Sequence, residues 1–490
     1  MLFFTIWNVL LECAMKKRVF YWLVSGVILL VLGGCLSVGP DYKRPETVMP
    51  DAWHSKIQDE LSSETPDIQK WWTVFEDDIL NELIAQATTN NLDLKTAAAR
   101  IEQAAALRGV SASQYFPEIF ANGGASAVQR TDRNTPPGTD RRGALYSAGL
   151  SMAWELDLWG RVRRSVESAD ASWMATVEDY RDVMVVLYAD IALNYIKVRT
   201  LQERIHFAEN NLAAQKKTKA LSKNRFDSGL VPMLDVSQAQ LNYSRTASLI
   251  PPLKQQLIVT INRLSVLTGQ MPYALYKKLE KVQPIPVPPA KLVLGLPSEL
   301  LRQRPDIRRA ERNLAAQNAL IGATKAELYP TLALPGTLAL EAPNGDLFKG
   351  SNLAYSFGPQ VRWSIFDGGR IRSQVHAEKA ATRAALHIYE QTVLKALEET
   401  EDSMAAFANE KDRIKSLETA STSARKSVDL VMELYKSGLT DFQNVLNMEL
   451  ALLTQEDQLA SSRGLISIDL VRIYKALGGG WTIPKEQGNE

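Results

Sequence analysis

Apolar and polar residues alternate with period two in two stretches of this chain. Over 144–161, Tyr146, Ala148, Leu150, Met152, Trp154 and Leu156 fall on one side. Ser147, Gly149, Ser151, Ala153, Glu155 and Asp157 fall on the other, the pattern of a strand with one apolar and one wet face. The design returns over 353–370, with Leu353, Tyr355, Phe357, Val361, Trp363 and Ile365 set against Ala354, Ser356, Gly358, Gln360, Arg362 and Ser364. The copies are offset by 209 residues, and each places a Tyr and a Trp eight residues apart on the apolar side: Tyr146 with Trp154, Tyr355 with Trp363. That separation spans about 26 Å of extended strand, or about 19 Å of height at a 45° tilt. It suits an apolar band edged by aromatic girdles, as in a membrane barrel; a half-buried strand of a soluble sandwich would alternate in the same way. Strands at 119–130 and 331–341, the latter with Leu332, Leu334, Leu338 and Leu340 on one face, precede the two clear ones and bring the expected number to four.

The rest of the pattern is helical. Trp71 and Trp72 are expected to begin a first helix, and Asp93 leads a second that ends before Pro117. Val183, Val186, Leu187, Ile191, Tyr195 and Val198 recur at helical spacing in a stretch without proline, predicting a helix over about 165–223. It would be roughly 88 Å long, which suits a coiled coil or a helical tube better than a globular core. Gly229 is placed to end it as a left-handed cap, and Pro232 to sit in the first turn of the next helix. That helix runs to about 267, with Pro251 and Pro252 predicting a kink or break. Arg304, Pro305 and Asp306 read as another helix start, and Val393, Leu397, Met404, Phe407 and Ile414 as a coiled-coil seam on a second long helix. A second tip follows at Gly438 and Leu439, with Thr440 and Gln443 spaced as a capping box. Pro359 predicts a bulge or strand end in the fourth strand.

The second half thus copies the first, at an offset of 213 before the strands and 209 after a shorter hairpin loop. The expected organisation is a leader over 1–34, a first repeat over 35–270, a proline-rich linker over 271–298, a second repeat over 299–481 and a tail over 482–490. The leader has a basic cluster (Lys16, Lys17, Arg18), an apolar run and Leu32-Gly33-Gly34-Cys35, the form of a lipoprotein signal whose cysteine takes the lipid. Leu36 follows that cysteine where inner-membrane retention wants Asp, which points to the outer membrane. An apolar run ahead of the basic cluster suggests that translation starts at Met15.

Net charge is +1, which gives no nucleic-acid signature, and the two cysteines, Cys13 and Cys35, offer neither a disulfide framework nor a metal site. His54, His206, His376 and His387 fall in no ligand spacing, and no nucleotide loop or hydrolase motif occurs, so no catalytic residue, metal or cofactor is assigned. Four strands cannot close a barrel in lipid, where unpaired backbone groups cost several kcal/mol each. Two chains would pool eight strands around a filled interior; three would pool twelve around a water-filled path.

Several segments together resemble the TolC-like outer-membrane efflux channels, in the lipoprotein branch that serves resistance-nodulation-division pumps. They are Cys35 with 39–42; Trp71-Trp72 with Phe75, Asp77, Leu80 and Leu83; 296–311; 363–370; the two Ser-Gly-Leu tips; and 474–481. The resemblance implies a mainly α fold with a small β part: a homotrimer with a twelve-stranded transmembrane β-barrel, a helical tunnel and an equatorial belt. It implies a periplasmic adaptor bridging the channel to an inner-membrane pump, with Gly229, Leu230, Gly438 and Leu439 touching the adaptor. Asp429 and Met432 are candidates for the gate, against the simpler reading of Asp429 as part of a solvated helix face. Tyr146, Trp154, Tyr355 and Trp363 would form the aromatic girdle. Two other functions fit the same residues: the outer-membrane duct of a type I secretion system, and a lipid-anchored periplasmic scaffold without a pore.

Overall fold

The computed structural model describes residues 37–46, 53–54, 68–129, 131, 142–288, 302–343 and 345–481. The leader, Cys35, the loop at 135–139, the end of the proline-rich linker and the tail at 482–490 lie outside the described residues. The chain divides into two compact units, and each draws on both sequence repeats. The first takes the described part of Met1–Pro45 with Gln103–Met174 and Glu311–His387; the second takes the described parts of Glu46–Glu102, Ala175–Ala310 and Ile388–Glu490.

The helices are α1 (Asp78–Asn90), α2 (Leu92–Ser113), α3 (Arg161–Asp227), α4 (Met233–Leu267), α5 (Tyr276–Leu279), α6 (Pro305–Ala326), α7 (Arg370–Lys436) and α8 (Phe442–Ala476). The duplication is visible in their lengths: α2 and α6 have 22 residues, α3 and α7 have 67, α4 and α8 have 35. A helix of that greater length runs about 100 Å. Among the described residues no helix is long and apolar enough to cross a membrane.

Four expectations about helix ends and breaks need correction. Trp71 and Trp72 lie in a 3-10 segment, Ile68–Phe75, and the first α-helix starts at Asp78, where Asp77 accepts the Leu80 N–H. Helix α4 runs unbroken through Pro251 and Pro252, with Pro232 as its N-cap rather than in its first turn. Adjacent prolines remove only two ladder donors, and the buried residues Thr246, Ile250, Leu253 and Thr260 on either side keep the helix seated. The Thr440–Gln443 capping box does not form. Asp441 is the N-cap and accepts from the Asn444 N–H at 3.1 Å, because a carboxylate one residue on is the stronger acceptor for the free amides.

The first unit holds the strands β1 (Glu118–Gln129), β2 (Arg142–Ala153), β3 (Glu155–Leu156), β4 (Thr331–Ala333), β5 (Gly336–Pro343), β6 (Leu353–Phe357) and β7 (Gln360–Arg362). β1, β2, β5 and β6 form one antiparallel sheet in that order; β3, β4 and β7 form a second. The second sheet continues the first past a shared interruption. Met152 pairs with Gly336 and Glu155 with Ala333, while Gly336 pairs with Phe357 and Ala333 with Gln360. The register therefore carries through unshifted, and the gaps at Trp154, Leu334–Pro335 and Gly358–Pro359 lie side by side. Pro335 and Pro359 lack the N–H the ladder needs. The expected strands at 145–158, 331–341 and 353–370 are each split there; at Pro359 the result is a strand end without an inserted residue.

Residues 37–45 are strapped to α3 and α6 in the same unit. The Val38 N–H donates to the Trp159 carbonyl at 3.0 Å, Arg164 reaches Asp41 at 2.6 Å, and the Tyr42 hydroxyl reaches Glu311 at 3.3 Å. Gly39 has φ +108°, and a Cβ there would lie 2.4 Å from the Gly322 Cα, so two glycines permit the crossing.

In the second unit the described part of the proline-rich segment is pinned by polar groups. Arg199, fully buried, donates to the Lys281 carbonyl and to Gln283, Gln202 donates to the Leu279 carbonyl, and Ser467 to the Pro286 carbonyl. Arg304 is also buried and ties the start of α6 to Asp306, Glu399 and the Ala476 carbonyl, so the Arg-Pro-Asp cluster is a structural clamp as well as a helix start. Helices α3 and α8 meet at Gly464, where a Cβ would come within 2.1 Å of Thr200 Oγ1. Gly464→Val is therefore expected to cost about 1–3 kcal/mol by overpacking. Gly109→Ala, at a position with nothing within 4 Å, is expected to be neutral or mildly stabilising. Thermal denaturation of the two variants in detergent checks the contrast.

Candidate functional site

The four-stranded sheet sorts its residues onto two faces, because directly paired residues share a face. One face carries the rows Ile119–Met152–Gly336–Phe357, Ala121–Leu150–Leu338–Tyr355 and Gly123–Ala148–Leu340–Leu353, with Tyr146 beyond. The other carries Phe120–Ser151–Thr337–Ser356, Asn122–Gly149–Ala339–Ala354 and Gly124–Ser147–Glu341. The apolar face is not buried in the chain: Ile119, Leu150, Leu338, Leu353, Tyr355 and Phe357 are all exposed. On the wet face small residues are required by close packing, since a Cβ at Gly149 would meet the Ala339 Cα at 2.6 Å. Asn122 donates to Ser151 there at 2.6 Å. Among the described residues β1 and β6 each pair on one side only, so both edges of the sheet present backbone groups without a strand partner there.

Of the four residues expected to form a girdle, Tyr146 and Tyr355 lie on the apolar face of the sheet, whereas the two tryptophans are not within strands. Trp154 lies in the gap between β2 and β3, and Trp363 just past β7. Both indoles find the same kind of partner: Trp154 Nε1 donates to the Tyr115 carbonyl at 3.0 Å and Trp363 Nε1 to the Leu328 carbonyl at 3.1 Å. Tyr146 and Tyr355 sit within β2 and β6 and are exposed. The carbonyl partners were missed from sequence, although the offsets of 213 and 209 place both pairs in equivalent repeat positions. Also missed were two aspartates near the starts of the long helices, which differ by one from the 209-residue offset. Asp157 accepts from the Val162 and Arg163 N–H groups, and Asp367 from those of Gly369 and Ile371.

In the second unit the structure brings the two tips together. At the end of α3, Gly229 has φ +75°, its N–H donates to the Phe226 carbonyl, and the Leu230 N–H donates to that of Arg225. At the end of α7, Gly438 has φ +74° and makes the same pair of bonds to Tyr435, with Leu439 to Leu434. Both are Schellman caps, and both leave the following leucine exposed, Leu230 by 67% and Leu439 by 74%. Arg225 donates to the Lys436 carbonyl and lies 5.0 Å from the Tyr435 ring centre, tying one tip to the other. Burial and the neighbouring Asp235 carboxylate push the Tyr435 phenol up to about 12, so it remains a donor to Asp235. Beneath lie Ala239, Val431, Tyr435, Phe442 and Val445, with Met432 half-buried against them. Met432 thus belongs to the tip core, whereas Asp429 is exposed on the α7 surface; the two gate candidates have different surroundings.

Gly229→Ala and Gly438→Ala should each cost about 1–2 kcal/mol, because an L side chain is strained at that φ. Trp154→Phe and Trp363→Phe keep the ring but free a carbonyl, and should each cost about 0.5–1.5 kcal/mol. Thermal unfolding followed by circular dichroism reads both sets.

Residues 83–270 and 296–479 match the family model described as outer membrane efflux protein. The chain is 30% identical over 465 residues to nodulation protein T of Rhizobium leguminosarum bv. viciae, covering 94% of each chain. It is 29% identical to the solvent efflux pump outer membrane protein SrpC of Pseudomonas putida, covering 93% of this chain and 97% of that one. Among solved structures, the outer-membrane channel OprN superposes with a TM-score of 0.85 at 35% identity, covering 91% of this chain and 99% of the other. An exposed apolar sheet face, paired glycine-capped tips and a match over most of the length agree: the chain belongs to the outer membrane efflux protein family.

Proposed function

We propose that this chain is the exit duct of a tripartite efflux system in a Gram-negative outer membrane. Drugs or other small toxic compounds would be delivered by an inner-membrane resistance-nodulation-division pump through a periplasmic adaptor, and would leave passively. The family consists of efflux proteins, transporters rather than enzymes. The observation that carries the reading is the four-stranded sheet, apolar and exposed on one face, small and polar apart from Phe120 on the other, with β1 and β6 unpaired on their outer sides among the described residues. Within hydrocarbon those edges must be paired, and a second copy of the chain offers the matching edge. Three copies pooling twelve strands supply a barrel wide enough for a wet path. Lipid on Cys35 adds an anchor, and Tyr146, Trp154, Tyr355 and Trp363 sit at the two rims of the band. Leu230 and Leu439, exposed on neighbouring tips, are the contact points for the adaptor. Asp429 and Met432 lie near the constriction that adaptor docking relieves, a shift between closed and open populations.

Size measurement in detergent and conductance in planar bilayers test this together. A conducting trimer of the mature chain beginning at Cys35 is expected, and a monomer soluble without detergent sinks the proposal. Leu338→Arg, on the apolar face, should reduce the outer-membrane amount through a cost of about 2–4 kcal/mol at mid-membrane depth. Thr337→Arg, on the other face, should insert normally. Comparable loss in both variants would show that the faces are not lipid and lumen.

A further inference from the structure

The second unit carries a polar seam where an apolar one would be more stable. On α3, Asn211, Gln215, Thr218 and Ser222 recur at four-three-four spacing, and all are at least nine-tenths buried. Opposite them, α8 presents Glu449 and Glu456, each 4% exposed. The two carboxylates are held differently. Glu456 is paired with Arg425 of α7 and accepts from Asn211 at 2.6 Å. Among the described residues Glu449 is held by neutral donors only, Thr218 Oγ1 at 2.7 Å and Asn242 Nδ2 of α4 at 2.8 Å. One turn farther from the tips on α3 and α4 come Gln215 and Thr246. The Gln215 amide and the Thr246 hydroxyl are buried with no partner among the described residues.

Other charged groups near this layer are committed elsewhere. From α3 and α4 the groups that reach Glu449 are the neutral Thr218 and Asn242, and Arg245, three residues beyond Asn242, is exposed. Lys219, beside Thr218, lies 5.2 Å from the Tyr243 ring centre, and Asp235, nearer the tip, accepts from Tyr435. From α7, Arg425 serves Glu456; on α8, Glu456 is the next acid, seven residues on. An ionised Glu449 would thus be a buried charge without a countercharge.

We propose that Glu449 is a proton-operated latch between α8 and the α3–α4 pair. Protonated, it donates to Thr218 Oγ1 while Asn242 still donates to its other oxygen. The Thr218 hydroxyl then turns to the Ala214 carbonyl, which is already within 3.4 Å. Every bond is kept and no charge is buried. Ionised, the carboxylate draws water into the layer beside Gln215 and Thr246, whose unpaired donors and acceptors suit water better than a cation, and the seam loosens. Burial holds the Glu449 carboxyl above its usual range, with the Thr218 and Asn242 bonds opposing. For an acid shifted upward, the stabilisation is complete in acid and is lost as pH rises through the shifted value. The seam is therefore tightest at low pH. Any consequence for opening the duct rests on the channel reading above; the latch itself does not.

Hydrogen exchange of the segments 211–222, 239–250 and 445–460 in the full-length protein tests it, comparing wild type with Glu449→Gln at equal pH so that intrinsic exchange cancels. At pH 3.5, below the ordinary carboxylate range, the two should exchange alike; at pH 8 the wild type should exchange several-fold faster. Glu449→Met, a second non-ionisable replacement, should follow Glu449→Gln, and Glu456→Gln should retain the wild-type pH response. A ratio that is the same at both pH values overturns the latch. Loss of conductance at every pH with the exchange response intact would instead count against the channel.

Discussion

A backbone amide in hydrocarbon has no water to fall back on, and under the proposed membrane placement the arrangement of the first unit answers that constraint. Its sheet satisfies the inner strands, β2 and β5, on both sides and leaves β1 and β6 satisfied on one. The interruption that crosses the sheet obeys the same accounting. Pro335 and Pro359 sit beside each other, each missing a donor, and regular pairing resumes on the far side in the same register. The Trp154 and Trp363 indoles donate to backbone carbonyls just where regular pairing is failing. Apolar contacts within the chain cannot explain the exposed rows of Leu, Tyr and Phe; a lipid environment can.

The second unit solves a different problem, the ordering of long helices that turn back on themselves. Glycine in the left-handed region ends α3 and α7 with the same pair of backbone bonds, and the exposed leucine after each glycine is a consequence of that geometry. The chain segments that connect helices are fixed less by apolar burial than by buried polar side chains that reach backbone carbonyls. Arg199, Gln202 and Ser467 hold the proline-rich stretch, and Arg304 holds the end of α8. Proline-rich backbone has carbonyls to spare and few donors, so side-chain donors are the natural fastening.

The polar stripe on α3 belongs to the same logic, with a different result. Polar residues in a coiled-coil seam reduce stability and fix alignment. Here Asn211 with Glu456, and Thr218 and Asn242 with Glu449, define how α8 meets its neighbours along the bundle. One of these acids has a cation and the other does not, which makes one a fixture and the other responsive to protons.

Much of this was legible in the residues alone. Period-two alternation identified the strands and their faces; the offsets of 213 and 209 identified the duplication that equalises α2 with α6, α3 with α7 and α4 with α8; Gly229 and Gly438 identified the tips. Such features are local: side-chain direction along a strand and the φ of a single glycine depend on neighbours in sequence. What the sequence left open depended on partners far away in the chain. Packing around Pro251 and Pro252 kept α4 whole, and Met432 went to the tip core while Asp429 stayed at the surface. The pairing of Trp154 with Tyr115, the clamp at Arg304 and the neutral partners of Glu449 are properties of residues brought together by folding. Alternation and spacing say which way a side chain points; only the tertiary structure says what it meets.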